Sequence, residues 1–441
     1  MLVFWNRTDM TRMLTLLAIV ALAGCAGGGT IPARQATAGV PNAHVRGASD
    51  AATSADPGES SMGLPGESSM GLPGESSVGL PGESSMGLPG ESSMGLPGES
   101  SMGLPGANFA CPGVPAAGSA SCTAAINLNV APNASPGLSA AAIPGFHPAD
   151  LQSAYGLPAQ LPGGTVAIVD AYDNPTAEAD LAVYRTAFGL PECSSSNGCF
   201  RKVNQRGLTS TYPAPNTGWS AEIALDLDMV SAACPRCSIV LVEADSALLD
   251  DLGAAVDTAV RLGARAVSNS YYAVEWANQS VEDAHYRHDG VAITASSGDR
   301  GYPSYPASAA SVTSVGGTSL SRSGSGWNET AWKYAGHGCS KYVGRPWFQQ
   351  NFRRCSTRSA VDVATVADPQ TGVATFSTPG GGWYVAGGTS VGAPLIAAAY
   401  ALGRPAAPGF SYQRWRSFRA VDGAGYHPIT GIGSPNGVAG L

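Results

Sequence analysis

Hydrophobic and polar positions divide the chain into two unlike parts. From Pro144 onward, short apolar runs alternate with segments of helical period. The runs at 165–170 (TVAIVD), 238–243 (SIVLVE), 266–270 and 291–296 have strand length and little alternation, the pattern of strands buried on both faces. Between them, residues 176–188, 220–233 and 248–262 carry helical spacing, and 391–402 reads as an apolar helix. Strands of this kind separated by helices predict an α/β fold, a parallel sheet with helices on both faces, in a single domain over 144–441. Ligand sites in such sheets lie beyond the carboxyl ends of the strands, so the residues just after each strand are where chemistry is expected.

Upstream the periodicity is lost. Residues 57–104 are six copies of the octapeptide Pro-Gly-Glu-Ser-Ser-Met-Gly-Leu, with Val78 replacing methionine once. Two glycines and one proline in every eight residues leave too little apolar surface to offset the entropy of ordering. Residues 26–106 are therefore expected to form a disordered acidic tether, a specific binding role for the repeat being the other reading. The stretch 107–143 is poorly patterned and is expected to be poorly structured. At the N-terminus Arg7 and Arg12 precede the apolar run Met13 to Leu22, too short to span a bilayer, and Leu22-Ala23-Gly24-Cys25 follows. Residues 1–25 thus resemble a bacterial lipoprotein signal, in which cleavage before Cys25 leaves it as the lipidated first residue. An ordinary export signal is the alternative.

Composition narrows the partners. Charged residues make up 13% of the chain, against about 25% in a typical protein, and the formal net charge is −8. Only three lysines occur, and no basic stripe exists to displace phosphate counterions, which excludes nucleic acid. Nine cysteines are odd in number, but with Cys25 set aside the other eight fall along the chain as close pairs. Nearest-neighbour pairing joins Cys111 with Cys122, Cys193 with Cys199, Cys234 with Cys237, and Cys339 with Cys355, as expected outside the cytoplasm. Cys234-Pro-Arg-Cys237 also spells a redox or metal motif, but no second pair stands at zinc spacing. The expected protein is an extracytoplasmic monomer, secreted or touching a membrane only through a lipid anchor.

Gly387-Gly388-Thr389-Ser390-Val391-Gly392-Ala393-Pro394 brings a serine to the start of the apolar helix, where unpaired amides and the positive dipole end can stabilise an oxyanion. Ser390 is either a nucleophile or a helix N-cap. A serine needs a base, and none of the six histidines has a convincing context: His44 lies in the tether, His147 precedes the first strand, and His285, His288, His337 and His427 sit in polar or glycine-rich loops. Glu222 and Asp226, four residues apart, share a helix face. Two adjoining carboxyls repel when both ionise, so at least one keeps its proton to higher pH, which suits acid chemistry. A solvated helix face is the plainer reading, weakened by apolar flanks. Asp299, in Ala295-Ser-Ser-Gly-Asp299-Arg-Gly301, follows the strand that ends near Ser296. It is a turn former or, if protonated, a hydrogen-bond donor to an oxyanion.

Taken together these motifs resemble the sedolisin family of serine-carboxyl peptidases, which share the subtilisin fold. The resemblance covers roughly 144–441 and includes His147-Pro-Ala-Asp-Leu-Gln-Ser-Ala-Tyr155, Asp170-Ala-Tyr-Asp-Asn-Pro175, Tyr184 to Pro191, and Val315-Gly-Gly-Thr-Ser-Leu320. It implies a secreted endopeptidase acting on polypeptides in acid, with Ser390 as nucleophile, Glu222 as base, Asp226 orienting Glu222, and Asp299 supplying the oxyanion hydrogen bond. Asp170 stands where a subtilisin has its triad aspartate and is read as support behind the carboxylate pair.

Two departures qualify that implication. Family members usually bind calcium near the C-terminus, but Ala420, Val421 and His427 stand at or beside the ligand positions, with Asp422 the only substitute nearby. A lost or weakened site is expected, with no cofactor required. A long folded prodomain is also expected to be missing between Cys25 and the catalytic region. The competing reading is a catalytically silent surface lipoprotein that keeps the peptidase scaffold for binding, and a histidine-dependent subtilisin is a third.

Overall fold

The run at 165–170 forms a strand, Thr165–Ala171, whose side chains alternate between two cores: Val166 and Ile168 join one, Ala167 and Val169 the other. This computed structural model describes residues 103–352, 354–404 and 407–441. The signal segment with Cys25, and the tether and its repeats up to residue 102, lie outside the described residues.

Three short strands come first: β1 (Ala107–Phe109), β2 (Ser121–Cys122) and β3 (Ala125–Asn127). Then follow β4 (Thr165–Ala171), β5 (Phe200–Asn204), β6 (Ser238–Ala244), β7 (Ala266–Asn269), β8 (Tyr271–Val274), β9 (Ala292–Ser296) and β10 (Ser304–Tyr305). The later strands are β11 (Thr313–Ser323), β12 (Gly326–Ala331), β13 (Cys339–Gly344), β14 (Thr357–Ser359), β15 (Val363–Val366), β16 (Val373–Ser377) and β17 (Gly382–Gly387). The eight-stranded sheet runs β12-β11-β9-β7-β4-β6-β5, with β15 also paired to β11. Every pairing in it is parallel except β11 with β12.

The helices are α1 (Pro148–Tyr155), α2 (Ala177–Ala187), α3 (Thr217–Ala233), α4 (Leu249–Arg261), α5 (Gly392–Leu402) and α6 (Pro408–Gln413). Helices α3 and α5 pack together on the sheet face that holds Val166 and Ile168, and α4 covers the opposite face with Val169 and Val242. This is the α/β arrangement expected from the sequence, with both faces covered. The even-numbered end of β4, Asp170, therefore turns toward α3 and α5.

The stretch 107–143 departs from expectation, because it is structured. Strand β1 pairs with β3, β3 with β17, and β2 with β8, all antiparallel. Strands of two or three residues leave no periodic signal, and β8 and β17, the partners of β2 and β3, lie far along the chain, so tertiary pairing overrides weak local preference. Four disulfides join the neighbouring cysteines, Cys111–Cys122, Cys193–Cys199, Cys234–Cys237 and Cys339–Cys355.

Away from these elements, Arg358 is fully buried against Asp362, with guanidinium to carboxylate distances of 2.6 and 2.9 Å. Its remaining hydrogens go to the carbonyls of Ala307, Ser308, Val312 and Ser359, while Asp362 also accepts the Ser314 amide and the Tyr412 hydroxyl. Removing one partner leaves an uncompensated buried charge. Asp362→Ala should therefore lose about 3–5 kcal/mol in denaturant unfolding, and a loss below about 1 kcal/mol would contradict this account.

Candidate active site

Helix α3 carries two of the expected residues. Its N-terminus is capped by the Asn216 side chain, which accepts the Trp219 amide at 3.1 Å, and every residue from Trp219 to Ala233 is buried. A helix apolar on all sides belongs inside a protein, so its acids are enclosed rather than solvated. Glu222 and Asp226 lie one turn apart on the same face and are both fully buried. Asp228, two residues further, turns elsewhere and accepts the Phe376 amide at 3.0 Å.

The serine arrives from another direction. Strand β17 ends at Gly387, and Gly388 follows with φ 92°. A Cβ at Gly388 would stand 1.9 Å from the Thr123 carbonyl oxygen and 2.7 Å from Asp299 Oδ2, so no other residue fits there. Thr389 to Val391 make a single 3-10 turn that leads into α5 at Gly392. Ser390 thus sits just ahead of the helix rather than within its first turn, and it is fully buried.

Asp299 comes from the loop after β9. Its Oδ1 accepts both the Thr389 amide at 2.9 Å and the Thr389 hydroxyl at 2.7 Å, fixing it beside the serine turn. The other oxygen, Oδ2, is buried without a hydrogen bond. Asp170 ends β4, and both of its oxygens are buried and unpartnered, as are both oxygens of Asp226. Glu222 Oε2 accepts the amides of Thr123 at 2.8 Å and Ala124 at 2.6 Å. Its Oε1 makes no hydrogen bond of standard geometry, although the Ser390 hydroxyl is near enough to act on its acidity.

Burial governs the electrostatics, since it penalises the ionised form. It pushes the Glu222 carboxyl up to about 8, with the Ser390 hydroxyl and the amides of Ala124 and Thr123 pulling back. Asp226 is raised well above the carboxylate range by burial and then by Glu222. Burial raises Asp170 likewise, with Asp226, Glu222 and Glu243 adding to it. Asp299 is pushed up to about 7 by burial, against the two bonds from Thr389. A protonated Asp299 would have a hydrogen to give from Oδ2, and a protonated carboxyl among Glu222 and Asp226 relieves their mutual repulsion.

No family model matches the chain. Kumamolisin of Bacillus sp. (strain MN-32) is 29% identical over 364 residues, an alignment covering 66% of this chain and 62% of kumamolisin. The chain therefore spans somewhat under two thirds of that relative's length. The solved structure of Pseudomonas sedolisin, a serine-carboxyl proteinase complexed with two molecules of pseudo-iodotyrostatin, superposes with a TM-score of 0.56 at 22% identity. That match covers 67% of this chain and 96% of the sedolisin chain. The chain has the sedolisin fold. It is a subtilisin-like fold, as the resemblance of its motifs implied.

Within the sedolisin fold, the structure brings Ser390, Glu222, Asp226, Asp299 and Asp170 to one end of the sheet. Among the described residues the histidines are elsewhere: His147 bonds the Ile143 carbonyl, His285 faces Asp257, His288 bonds the His285 carbonyl, His337 bonds the Ala335 carbonyl, and His427 pairs its backbone with Gly431; His44 lies outside the described residues. At the sites expected for calcium, Ala420 and Val421 offer no side-chain oxygen, and Asp422 Oδ2 accepts the Ala331 amide at 2.5 Å. Among the described residues, no group of three or more His, Cys, Asp or Glu is placed to hold a metal. The side chains at these positions do not fit a calcium ion, which needs several oxygen ligands.

Two participants escaped the sequence. Glu243 ends β6 directly opposite Asp170 in the β4–β6 register, and burial pushes it up to about 8 against the opposing charge of Lys202, 3.1 Å away. Its position after SIVLV mirrors Asp170 after TVAIV, which was the available signal. The other is Thr123, whose hydroxyl lies 2.5 Å from Ser390 Oγ, 2.9 Å from Ser296 Oγ and 3.4 Å from the Ser270 carbonyl. Nothing local marked it.

These carboxyls set a pH dependence of stability. Their folded pKa values lie above the unfolded values near about 4, so the unfolded chain binds fewer protons as pH rises. Stability is full below about pH 4 and is lost as pH climbs through about 7 for Asp299 and about 8 for Glu222 and Glu243. The melting temperature of the Ser390→Ala chain, which retains every carboxyl, should fall across that window in scanning calorimetry. A melting temperature that rises with pH there would refute the assignment.

Proposed function

We propose that the chain is a serine-carboxyl endopeptidase that hydrolyses extended polypeptides in acid, outside the cytoplasm. The observation that carries this reading is the enclosure of Glu222 and Asp226 beside Ser390, with Asp299 held against the same turn by Thr389. In this reading Ser390 Oγ attacks the scissile carbonyl and Glu222, ionised while Asp226 holds the proton the pair shares, takes the serine's proton and then returns it to the leaving amine. Asp226 shares a proton with Glu222 and fixes its orientation, and Asp170, kept neutral by burial, supports that pair from behind. Asp299, protonated, donates to the oxyanion from Oδ2.

Four cysteine pairs at disulfide distance support an oxidising location. We extend the proposal to a monomer attached to a membrane, if at all, through lipid on Cys25, and to activity without calcium. The silent-scaffold reading has one observation in its favour, the occupation of the site by Thr123 and Ala124. Labelling by a peptide aldehyde, which forms a tetrahedral adduct with an active serine, separates the two.

Ser390→Ala should lower peptide hydrolysis by about 10⁶-fold, and retention of activity would end the proposal. Asp299→Asn keeps a neutral donor and should outperform Asp299→Ala, which should lose about 10²–10³-fold; equal losses would remove the oxyanion role. For the wild-type chain, kcat/KM should fall as pH rises through about 7, where Asp299 gives up the proton it donates. A chelator should leave that profile unchanged.

A further inference from the structure

The cations of this acidic chain are gathered rather than spread. No acidic residue occurs between Glu329 and Asp362, or between Asp368 and Asp422, and both stretches carry arginines. The fold lays parts of the two side by side. The 3-10 turn Trp347–Gln349 packs against α6, so closely that a Cβ on Gly409 would stand 2.5 Å from the Trp347 ring. Under this junction Phe348 and Phe352 close on Tyr412, with ring centroids 5.0 and 5.2 Å apart.

The outer layer of the junction is arginine and tryptophan. Arg345, Arg354, Arg414 and Arg416 are exposed, and so are Trp347 at 62% and Trp415 at 41%. Arg416 lies over the Trp415 ring at 5.0 Å and Arg414 over Phe410 at 4.7 Å, which steadies the guanidinium groups without neutralising them. Among the described residues the arginines in ion pairs are Arg206, Arg322, Arg358 and Arg419, so the four at this face keep their charge unmatched. The next acids along the chain are engaged elsewhere, Asp362 by buried Arg358 and Asp422 by the Ala331 amide.

We propose that this face docks the folded domain on an anionic lipid surface. Unmatched arginines call for an anionic partner. The exposed indoles favour a membrane over a soluble polyanion, because tryptophan settles at the boundary of headgroups and acyl chains while arginine beside it meets the phosphates. Among the described residues no helix is long and apolar enough to cross a membrane, so the contact is a peripheral one. It does not depend on the peptidase reading. To the lipid proposed at Cys25 it adds a second contact, made by the domain itself, and two contacts on one chain reinforce each other through effective concentration.

The place of the face decides where the site points. Ser390 stands just ahead of α5. At the other end of that helix the Tyr400 hydroxyl meets Ser411 of α6 at 2.9 Å and Thr313, at the start of β11, at 3.0 Å. The eleven residues of α5 set the two ends roughly 16 Å apart. A domain docked through α6 therefore turns Ser390 and its carboxyls away from the lipid, toward soluble substrate.

The full chain on vesicles of phosphatidylglycerol and phosphatidylcholine in equal parts should show slowed amide hydrogen exchange over 345–352 and 413–419. Vesicles of phosphatidylcholine alone should leave both segments exchanging as in solution, and high salt should abolish the protection. Arg414→Gln combined with Arg416→Gln should weaken docking about 30-fold, and Trp415→Gln should weaken it with the charge unchanged. Both are surface changes and should melt in solution as the unaltered chain does. Equal protection on the two kinds of vesicle, protection on neither, or protection that survives the arginine changes would overturn the proposal. Stronger protection by heparin, a soluble polyanion, would also overturn it and give the face to another partner. Protection that exists without vesicles and vanishes when residues 57–104 are deleted would give the face to the acidic repeats instead.

Discussion

A carboxyl group removed from water holds its proton, and five of them meet in the interior of this protein. Asp170, Glu222, Asp226, Glu243 and Asp299 are all buried, with one lysine, Lys202, reaching the outermost of the five. Five negative charges at that spacing in a dry interior would cost more than the fold has to spare. Burial therefore favours neutral or proton-sharing acids at this end of the sheet. The same enclosure makes the hydrogen on an acid usable as a donor, which an exposed aspartate at neutral pH could not offer.

The acids are brought together by elements with no local reason to meet. A strand end supplies Asp170, a fully buried helix supplies Glu222 and Asp226, a loop after β9 supplies Asp299, and the turn from β17 into α5 supplies Ser390. Gly388 closes the arrangement, because only a residue without a side chain lets the Thr123 carbonyl and Asp299 approach the turn.

Much of this could be read from the chain alone, for physical reasons. The runs TVAIVD and SIVLVE are strands enclosed on both faces, and the helix at 217–233 is apolar enough to identify the acids within it as enclosed. Ser390 was legible from its glycines. Glu243 was visible only by analogy with Asp170, since a terminal glutamate on a strand usually reaches solvent. Thr123 was illegible: strands β2 and β3 are two and three residues long, and the partners β8 and β17 that set them in the site lie more than a hundred residues away. Pairing of that range is a property of the completed fold and leaves no period in the sequence.

Strand β1 carries a consequence of its own. It pairs with β3 residue for residue from Ala107 with Asn127 to Phe109 with Ala125, so the chain returns to itself on either side of Thr123 and Ala124, and the Cys111–Cys122 bond clasps the neck of the resulting hairpin. A loop closed at both ends, by strand pairing and by a covalent bond, has few other places to go, so Thr123 and Ala124 are held at Ser390 with little further entropy to lose.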